Sequence, residues 1–515
     1  PPAFREWSGG RPPEPPPGPF PEGRWGCGWG QVPNRPGRLD TPTGPVILTD
    51  MERETARQQA VLDILRNFTG PEPMKKLFWS ELNYNRINDE LPMTGWGSAA
   101  ADPLHGPPLL LAGAGEGDEF RVIYTRLKSD KLLLGEERPV ITRLLRDHPY
   151  ALFLVSNKQQ DRWHFVNVKY DDDVARRRVF RRITIGRDER LRTAAERIAM
   201  LDPASVSPNL FGLSPMRLQT RHDEAFDVEQ VTEDFFENYK KVFADLQQLL
   251  RGCSKDKQWS HDYAQQLLNR LLFLYFIQRK RWLGGDPEFL RSFWSAYRHS
   301  DERKDSFFER WLNVLFFEAF NNRFQVGRQD HKHMPEAIRN ALAVAPFLNG
   351  GLFRENKLDT HCRVEVPDKF FEALFDKYEG TRPGFLERYN FTISESTPFD
   401  MEVAVDPEMI GKVYESLVNV TFEGVSKEDK RGSAGIFYTP RVEIDLMCRL
   451  SLVDWLSNHL GEEHKPLLYD AVFAFDRQDK DKADEALAAK NLWGELDKLL
   501  RNLAVCDPAC GTAGF

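Results

Sequence analysis

The last residues of the sequence have the types and spacing that could hold a small ligand. The apolar run 503–506 predicts a buried strand, and residues 507–515 follow it with an acid, Asp507, and a turn that contains Gly511 and Gly514. Open α/β sheets bind their ligands at this carboxyl edge. Because glycine has no Cβ, a ligand can lie against the main chain and face the N-terminus of a following helix. The pattern therefore predicts a cofactor loop.

The loop is neither of two common nucleotide-binding patterns. It lacks the spacing G-x-G-x-x-G of dinucleotide-binding proteins and the Lys-Ser/Thr pair of a P-loop. It resembles motif I of the adenine-specific DNA methyltransferases, although Ala513 stands where that family usually has a glycine, which leaves the loop conformation open. The resemblance implies that S-adenosylmethionine is bound by Asp507, Pro508, Ala509, Cys510, Gly511, Thr512, Gly514 and Phe515.

A second string, residues 435–440, lies ahead of this loop. Thr439 can cap a helix that begins near Arg441, with Pro440 at the first position, so that free backbone N–H groups could meet a carboxylate. From the residues alone, an ordinary capped helix is the alternative. The string is similar to motif X, and its position before motif I is that of the gamma class of amino-methyltransferases. The resemblance implies that Phe437, Tyr438, Thr439 and Pro440 contact the methionine end of the cofactor.

Four further strings extend the resemblance to about residues 225–515. They resemble the helical connector and the start of the methyltransferase domain in Eco57I-like and BREX- or DISARM-type phage-defence methyltransferases. We expect them to shape the helical region without carrying chemistry. They are residues 267–276, 346–353, 389–392 and 406–415.

The resemblance implies methyl transfer to N6 of adenine in double-stranded DNA. Such an enzyme must flip the base out of the duplex, and the family holds it with an Asn/Asp-Pro-Pro-Tyr/Phe motif. That motif is absent from the 515 residues, so no catalytic residue is assigned. We expect the chain to be an N-terminal portion that lacks activity alone. A bifunctional restriction endonuclease-methyltransferase and a non-enzymatic DNA-binding scaffold are the alternatives.

The segment 176–192 is strongly basic within an acidic chain. It holds eight arginines against Asp188 and Glu189, whereas the whole chain has a net charge of −8. Arginine binds phosphate oxygens with two parallel hydrogen bonds, so the run could anchor a DNA backbone. A solvated strand edge is an equally good interpretation. The candidate DNA-binding residues are Arg176, Arg177, Arg178, Arg181, Arg182 and Arg187.

Residues 51–222 are predicted to form a mixed α/β domain. Strands are indicated at 120–127, 151–155 and 163–169, with a helix near 138–146. The layout resembles the nuclease-like region that precedes the methyltransferase in fused restriction-modification enzymes, whose metal site needs carboxylates and a lysine. The strands offer Arg126-Leu127-Lys128 and Asn167-Val168-Lys169 without the acid. Asp118, Glu119 or Asp161 could compensate in space, but we expect a degenerate site.

Length and composition predict an α/β multidomain protein. The 515 residues suggest about three domains. We predict a disordered Pro/Gly-rich segment at 1–50, the nuclease-like or DNA-binding domain at 51–222, a helical connector at 223–430, and the start of a Rossmann-like methyltransferase domain at 431–515. The six cysteines form no C-x-x-C pair, so no metal site is predicted, and a cytoplasmic location is expected. The expected partners are double-stranded DNA and other subunits of a restriction or phage-defence system, with no membrane.

Overall fold

The computed structural model describes residues 50–171, 177–208, 212–348, 351–378, 383–393, 400–405, 411, 420–421, 424–425, 439, 441–474 and 477–506. Of the segment predicted to be disordered, 1–50, residues 1–49 lie outside the described residues, and Asp50 is the first residue of α1. The strands are β1 (Asn85–Glu90), β2 (Leu109–Ala114), β3 (Phe120–Arg126), β4 (Ala151–Ser156), β5 (Trp163–Asp171), β6 (Arg177–Ile185), β7 (Asp400–Glu402), β8 (Val420–Thr421) and β9 (Gly424–Val425). The helices are α1 (Asp50–Leu65), α2 (Pro71–Lys76), α3 (Ser98–Ala101), α4 (Leu134–Asp147), α5 (Leu191–Ala199), α6 (Pro215–Ala225), α7 (Val228–Leu250), α8 (Lys257–Arg279), α9 (Phe289–Arg298), α10 (Asn313–Phe317), α11 (Glu336–Ala343), α12 (Asp368–Phe375), α13 (Phe385–Arg388), α14 (Arg441–Leu460), α15 (Lys465–Phe473), α16 (Arg477–Ala489) and α17 (Trp493–Arg501).

Strands β1 to β7 form one sheet in sequence order. Neighbouring strands are antiparallel except for the pairs β3–β4 and β6–β7, which are parallel. Helix α4 makes the crossover that the parallel pair β3–β4 requires. The three predicted strands and the helix between the first two are confirmed. Strand β7, in contrast, comes from the region that the sequence indicated as helical.

Each sheet face packs on its own set of apolar side chains, because successive residues of a strand point to opposite faces. On one face, Ile123, Phe153 and Val166 pack with Val140 and Leu144 of α4. The opposite face carries Phe120, Leu154 and Phe165, which belong to a larger core that continues through α1, α5 and α6 into α7 and α8. The sheet is therefore covered by helices on both faces, as its apolar strands require.

Helices α7 and α8 are the longest of the helical region, and both begin at capping aspartates. Asp227 accepts a hydrogen bond from Glu229 N at 3.0 Å, and Asp256 accepts from Gln258 N at 2.9 Å and Trp259 N at 3.1 Å. Farther along the chain, residues 308–321 form a π-helical turn, α10 and a 3₁₀ turn in succession. No helix in the described ranges is long and apolar enough to cross a membrane.

The strand predicted at residues 503–506 is absent, which corrects the sequence analysis. These residues follow α17 without regular structure, and Val505 is 82% exposed. A strand needs a neighbour that takes up its backbone hydrogen bonds, and in the described part of the chain no strand pairs with this run. Helices α14, α15, α16 and α17 pack around a small core of their own.

A buried ion pair joins the sheet region to the helical region. Arg190, between β6 and α5, donates two hydrogen bonds of 3.1 and 3.0 Å to the carboxylate of Glu387 in α13. The hydroxyl of Tyr275 in α8 donates to the same carboxylate at 2.7 Å. Burial lowers the pKa of Arg190, but the charge of Glu387 outweighs burial and the pKa is raised. The guanidinium therefore stays charged inside the protein.

We expect the substitution Glu387→Ala to lower the free energy of unfolding by about 3–5 kcal/mol, because it leaves the charge of Arg190 buried without its partner. Urea unfolding followed by circular dichroism measures the change. Glu196→Ala is the matched control, since Glu196 forms a surface pair with Arg192 and its loss should cost about 0.5 kcal/mol or less. Equal effects of the two substitutions would contradict the importance of burial.

A buried histidine gives the fold a dependence on pH. His222 in α6 is 0% exposed, and its Nε2 lies 2.9 Å from the hydroxyl of Tyr84, which itself donates to Leu201 O at 2.8 Å. The hydroxyl oxygen thus accepts a hydrogen bond from Nε2–H of a neutral ring. Burial, assisted by the charge of Arg221, lowers the pKa of His222 to about 3.

Stability should therefore fall as the pH is lowered from 6.5 towards 3, because in that range the unfolded chain binds a proton that the folded chain does not. Between pH 7 and pH 5, the free energy of unfolding should fall less in His222→Gln than in the native chain. The two decreases should differ by roughly 2 kcal/mol. Urea unfolding at the two pH values tests this expectation. An identical pH dependence in both proteins would show that His222 does not cause it.

Candidate functional site

The predicted cofactor loop cannot be placed, because residues 507–515 lie outside the described part of the chain, as do Phe437, Tyr438 and Pro440. Thr439 is described and exposed. The helix predicted to begin near Arg441 is confirmed as α14. The assignment of these residues to a cofactor stays a prediction.

The arginines of the basic segment do not share one surface. Arg176 lies outside the described residues, and Arg177 begins β6. Arg178 and Arg182 lie on the face of α4, whereas Arg181 lies on the opposite face, where it contacts Asp223 O at 3.5 Å and the carboxylate of Asp227 at 3.9 Å. Arg182 is 5% exposed, and Arg187, in the loop after β6, is exposed. Their role in DNA binding stays a prediction.

The acids considered for a nuclease site lie at opposite ends of the parallel strands β3 and β4. Asp118 and Glu119 precede β3, while Asp161 follows β4, which runs parallel to β3. Six or seven residues of strand separate them, roughly 20 Å. Asp118 accepts a hydrogen bond from Asn85, and Asp161 accepts one from Asn157. Within the described ranges, no group of three or more His, Cys, Asp or Glu residues could hold a metal ion.

The described structure instead contains a cavity that the sequence analysis did not anticipate. It has a volume of about 600 Å³ and lies where the parallel strands β3 and β4 end and α4 begins. Its wall includes the loop residues 130–134, together with His164, Arg182 and Glu402 from three neighbouring strands. This edge is where open α/β sheets bind ligands. We call it the α4 cavity.

A carboxylate–histidine pair lies in its wall. Glu137 of α4 is fully buried, and its Oε1 lies 2.8 Å from Nδ1 of His164 in β5. Burial raises the pKa of the Glu137 carboxyl, but the positive environment of His164, Arg182 and Arg138 outweighs it and the pKa is lowered. An ionised carboxylate accepts a hydrogen bond from Nδ1–H and so fixes the tautomer of the ring. Nε2 is then the ring nitrogen of His164 that is left for a ligand.

Ion pairs hold the opposite wall. Asp188 accepts from Arg162 at 3.1 Å and from Arg281 at 2.7 Å through the same oxygen. Arg279 of α8 donates to both carboxylate oxygens of Glu189 at 2.8 Å. These ion pairs hold the three guanidinium groups in place around the cavity. Each guanidinium has more N–H groups than its ion pair uses.

One signal in the sequence could have indicated the histidine. In the predicted strand 163–169, His164 shares the face of Val166 and Val168, which are buried against α4. A titratable residue at an inward position of a buried strand needs a partner. The partner, Glu137, is 27 residues away in the chain, and only the packing of α4 on β5 brings it there.

The chain is similar in sequence to a protein from Methanocaldococcus jannaschii whose name describes it as a type II restriction enzyme and methyltransferase. The two are 24% identical over 317 residues, which are 56% of this chain. The matched segment spans 25% of the length of that relative. No family model matches the chain, and no solved structure matches it.

If the basic segment binds DNA, the exposed Arg187 should contribute without supporting the fold. We expect Arg187→Ala to weaken retention of duplex DNA and to reduce the slope of log affinity against log salt by about one, because one phosphate contact is lost. Fluorescence anisotropy with a labelled duplex measures both quantities. Arg501→Ala, at an exposed arginine of α17, is the control and should change neither. Unchanged retention in Arg187→Ala would remove this residue from the predicted interface.

Proposed function

We propose that this chain belongs to a restriction-modification methyltransferase that transfers a methyl group from S-adenosylmethionine to N6 of adenine in DNA. The string at residues 507–515 carries the proposal, because an acid followed by a glycine turn of this composition resembles the cofactor loop of adenine-specific enzymes. The domain that contains it would have a Rossmann-like fold. Double-stranded DNA and further subunits of the same defence system are the proposed partners.

Two observations support this function. The relative from Methanocaldococcus jannaschii is named as a restriction enzyme and methyltransferase. Its sequence similarity covers 56% of this chain. The helix α14 begins directly after residues 435–440, so that their resemblance to motif X comes with a helix at the expected place. In the proposed enzyme, residues 437–440 contact the methionine end of the cofactor, and residues 507–515 contact its adenosyl part.

The bifunctional alternative accords equally well with the name of the relative. In that case the sheet region would also cleave DNA. The described acids Asp118 and Asp161 are too far apart to hold one metal ion, so the metal site would need other residues. A cleavage assay on unmethylated DNA with and without Mg²⁺ distinguishes the alternatives. Metal-dependent cleavage that Asp118→Asn and Asp161→Asn leave intact would indicate a different nuclease site.

Methyl transfer tests the proposal directly. We expect the natural full-length protein to transfer a labelled methyl group from S-adenosylmethionine to unmethylated DNA, with N6-methyladenine as the product detected by mass spectrometry. Asp507→Ala should reduce transfer at least tenfold, because it removes a polar contact of the loop, about 1.4 kcal/mol or more. Asp497→Ala, at an exposed aspartate of α17, is the matched control.

Two results would contradict the proposal at different levels. Methylcytosine as the sole product would retain the transferase and reject adenine. Absence of both transfer and cofactor binding, in a protein shown to be folded, would reject the methyltransferase. A protein that retains DNA regardless of the cofactor, without modifying it, would support the scaffold alternative.

A further inference from the structure

Three features of the wall of the α4 cavity favour the same kind of ligand. The first is a surplus of hydrogen-bond donors. Among the described residues, five cationic and four acidic side chains line the cavity. Each guanidinium has five N–H donors and each ammonium three, whereas a carboxylate has none. The cavity therefore suits a ligand that is rich in acceptor oxygens.

The acidic residues that line the cavity have partners of their own. Asp188 and Glu189 are already occupied by Arg162, Arg281 and Arg279. Glu402 accepts a hydrogen bond of 2.6 Å from the hydroxyl of Thr392. The fourth acid, Asp130, accepts a hydrogen bond of 2.6 Å from the side-chain amide of Gln159. Each of the four acidic lining residues therefore already accepts a hydrogen bond, and an anionic ligand would not have to approach a carboxylate without a donor.

The second feature is the N-terminus of α4, a helix of 14 residues. Leu133 precedes it, and no side chain caps it. The backbone N–H groups of Leu134 and Gly135 donate no hydrogen bond within the described ranges. Uncapped N–H groups at the start of a helix bind anions, since the helix dipole adds positive potential there. Leu133 and Leu134 both line the cavity.

The third feature is His164, which is 9% exposed and lines the cavity. Its Nδ1 is bound to Glu137, and its Nε2 has no hydrogen-bond partner in the described ranges. This nitrogen is therefore available for a hydrogen bond with a ligand in the cavity.

We propose that the α4 cavity binds a phosphate monoester, with the phosphoryl oxygens held by Lys131, Arg162 and the first N–H groups of α4, and with His164 Nε2 hydrogen-bonded to the ester. The volume of about 600 Å³ fits a nucleotide-sized group. Two sources share this chemistry: a free nucleotide, and the 5′-phosphorylated end of a DNA strand. Glu137 acts as a positioning residue through the ring of His164.

Binding can be measured with three probes on the intact chain. Isothermal titration calorimetry uses inorganic phosphate and AMP, and fluorescence anisotropy compares a 5′-phosphorylated oligonucleotide with the same oligonucleotide bearing a 5′-hydroxyl. We expect a dissociation constant at or below about 1 mM for at least one phosphate monoester probe. Tight binding of AMP would identify a nucleotide as the source, and preference for the phosphorylated oligonucleotide would identify a strand end.

The variants separate this site from general electrostatic attraction. Lys131→Gln and Arg162→Gln alter exposed side chains, so they should fold normally and weaken binding about tenfold each. Lys255→Gln makes the same change of charge at an exposed lysine in the loop between α7 and α8, outside the cavity, and should leave binding unchanged. His164→Asn keeps a polar group beside Glu137 but removes Nε2, and should also weaken binding about tenfold.

The proposal is overturned if no phosphate probe binds at millimolar concentration, or if Lys131→Gln and Lys255→Gln weaken binding to the same extent. Equal binding of the two oligonucleotides excludes a strand end as the source of the ligand. Because S-adenosylmethionine contains no phosphate, its binding and methyl transfer are measured independently. The failure of one proposal therefore leaves the other intact.

Discussion

The described structure depends on three consecutive residues that follow β6, each of which forms an ion pair with the helical region. Asp188 pairs with Arg281, Glu189 with Arg279, and Arg190 with Glu387. The first pair is partly exposed, the second is largely buried and the third is buried. A buried pair contributes little net stability compared with apolar packing, but breaking it is costly because a charge is left without a partner. The segment can therefore dock in only one register.

This docking also determines the shape of the α4 cavity. Asp188 and Glu189 form part of its wall, and Arg279 and Arg281 reach it from the end of α8. The other side is made by the loop before α4 and by β5, where Glu137 orients His164. The cavity thus lies between two regions that are far apart in the chain. Ion pairs hold Arg162, Arg279 and Arg281 in place there, which lowers the cost of ordering them around a ligand.

Burial gives the ionisable groups of this protein distinct roles. His222 stays neutral in the core because burial lowers its pKa, and it serves as a hydrogen-bond donor to Tyr84. His164 also lies near the core, but it faces an ionised carboxylate on one side and the cavity on the other. The same side chain therefore supports the fold at one position and can meet a ligand at the other, and the difference lies in the neighbours.

The sequence by itself determined the features that depend on short-range pattern. The strands 120–127, 151–155 and 163–169, the intervening helix and the start of α14 were predicted, because alternation, apolar periodicity and caps act over a few residues. The run 503–506 was wrongly predicted as a strand, since a strand requires a neighbour that the pattern cannot supply. The cofactor string at 507–515 is likewise a feature of the sequence alone.

Only the tertiary structure decided which charged residues meet. The basic segment is continuous in the sequence, yet Arg181 and Arg182 lie on opposite faces of β6, and Arg190, in the loop after β6, is buried. Glu137 meets His164 across 27 residues and Arg190 meets Glu387 across 197. Partners at such separations are chosen by the packing of whole helices on the sheet, and no local pattern of residues specifies that packing.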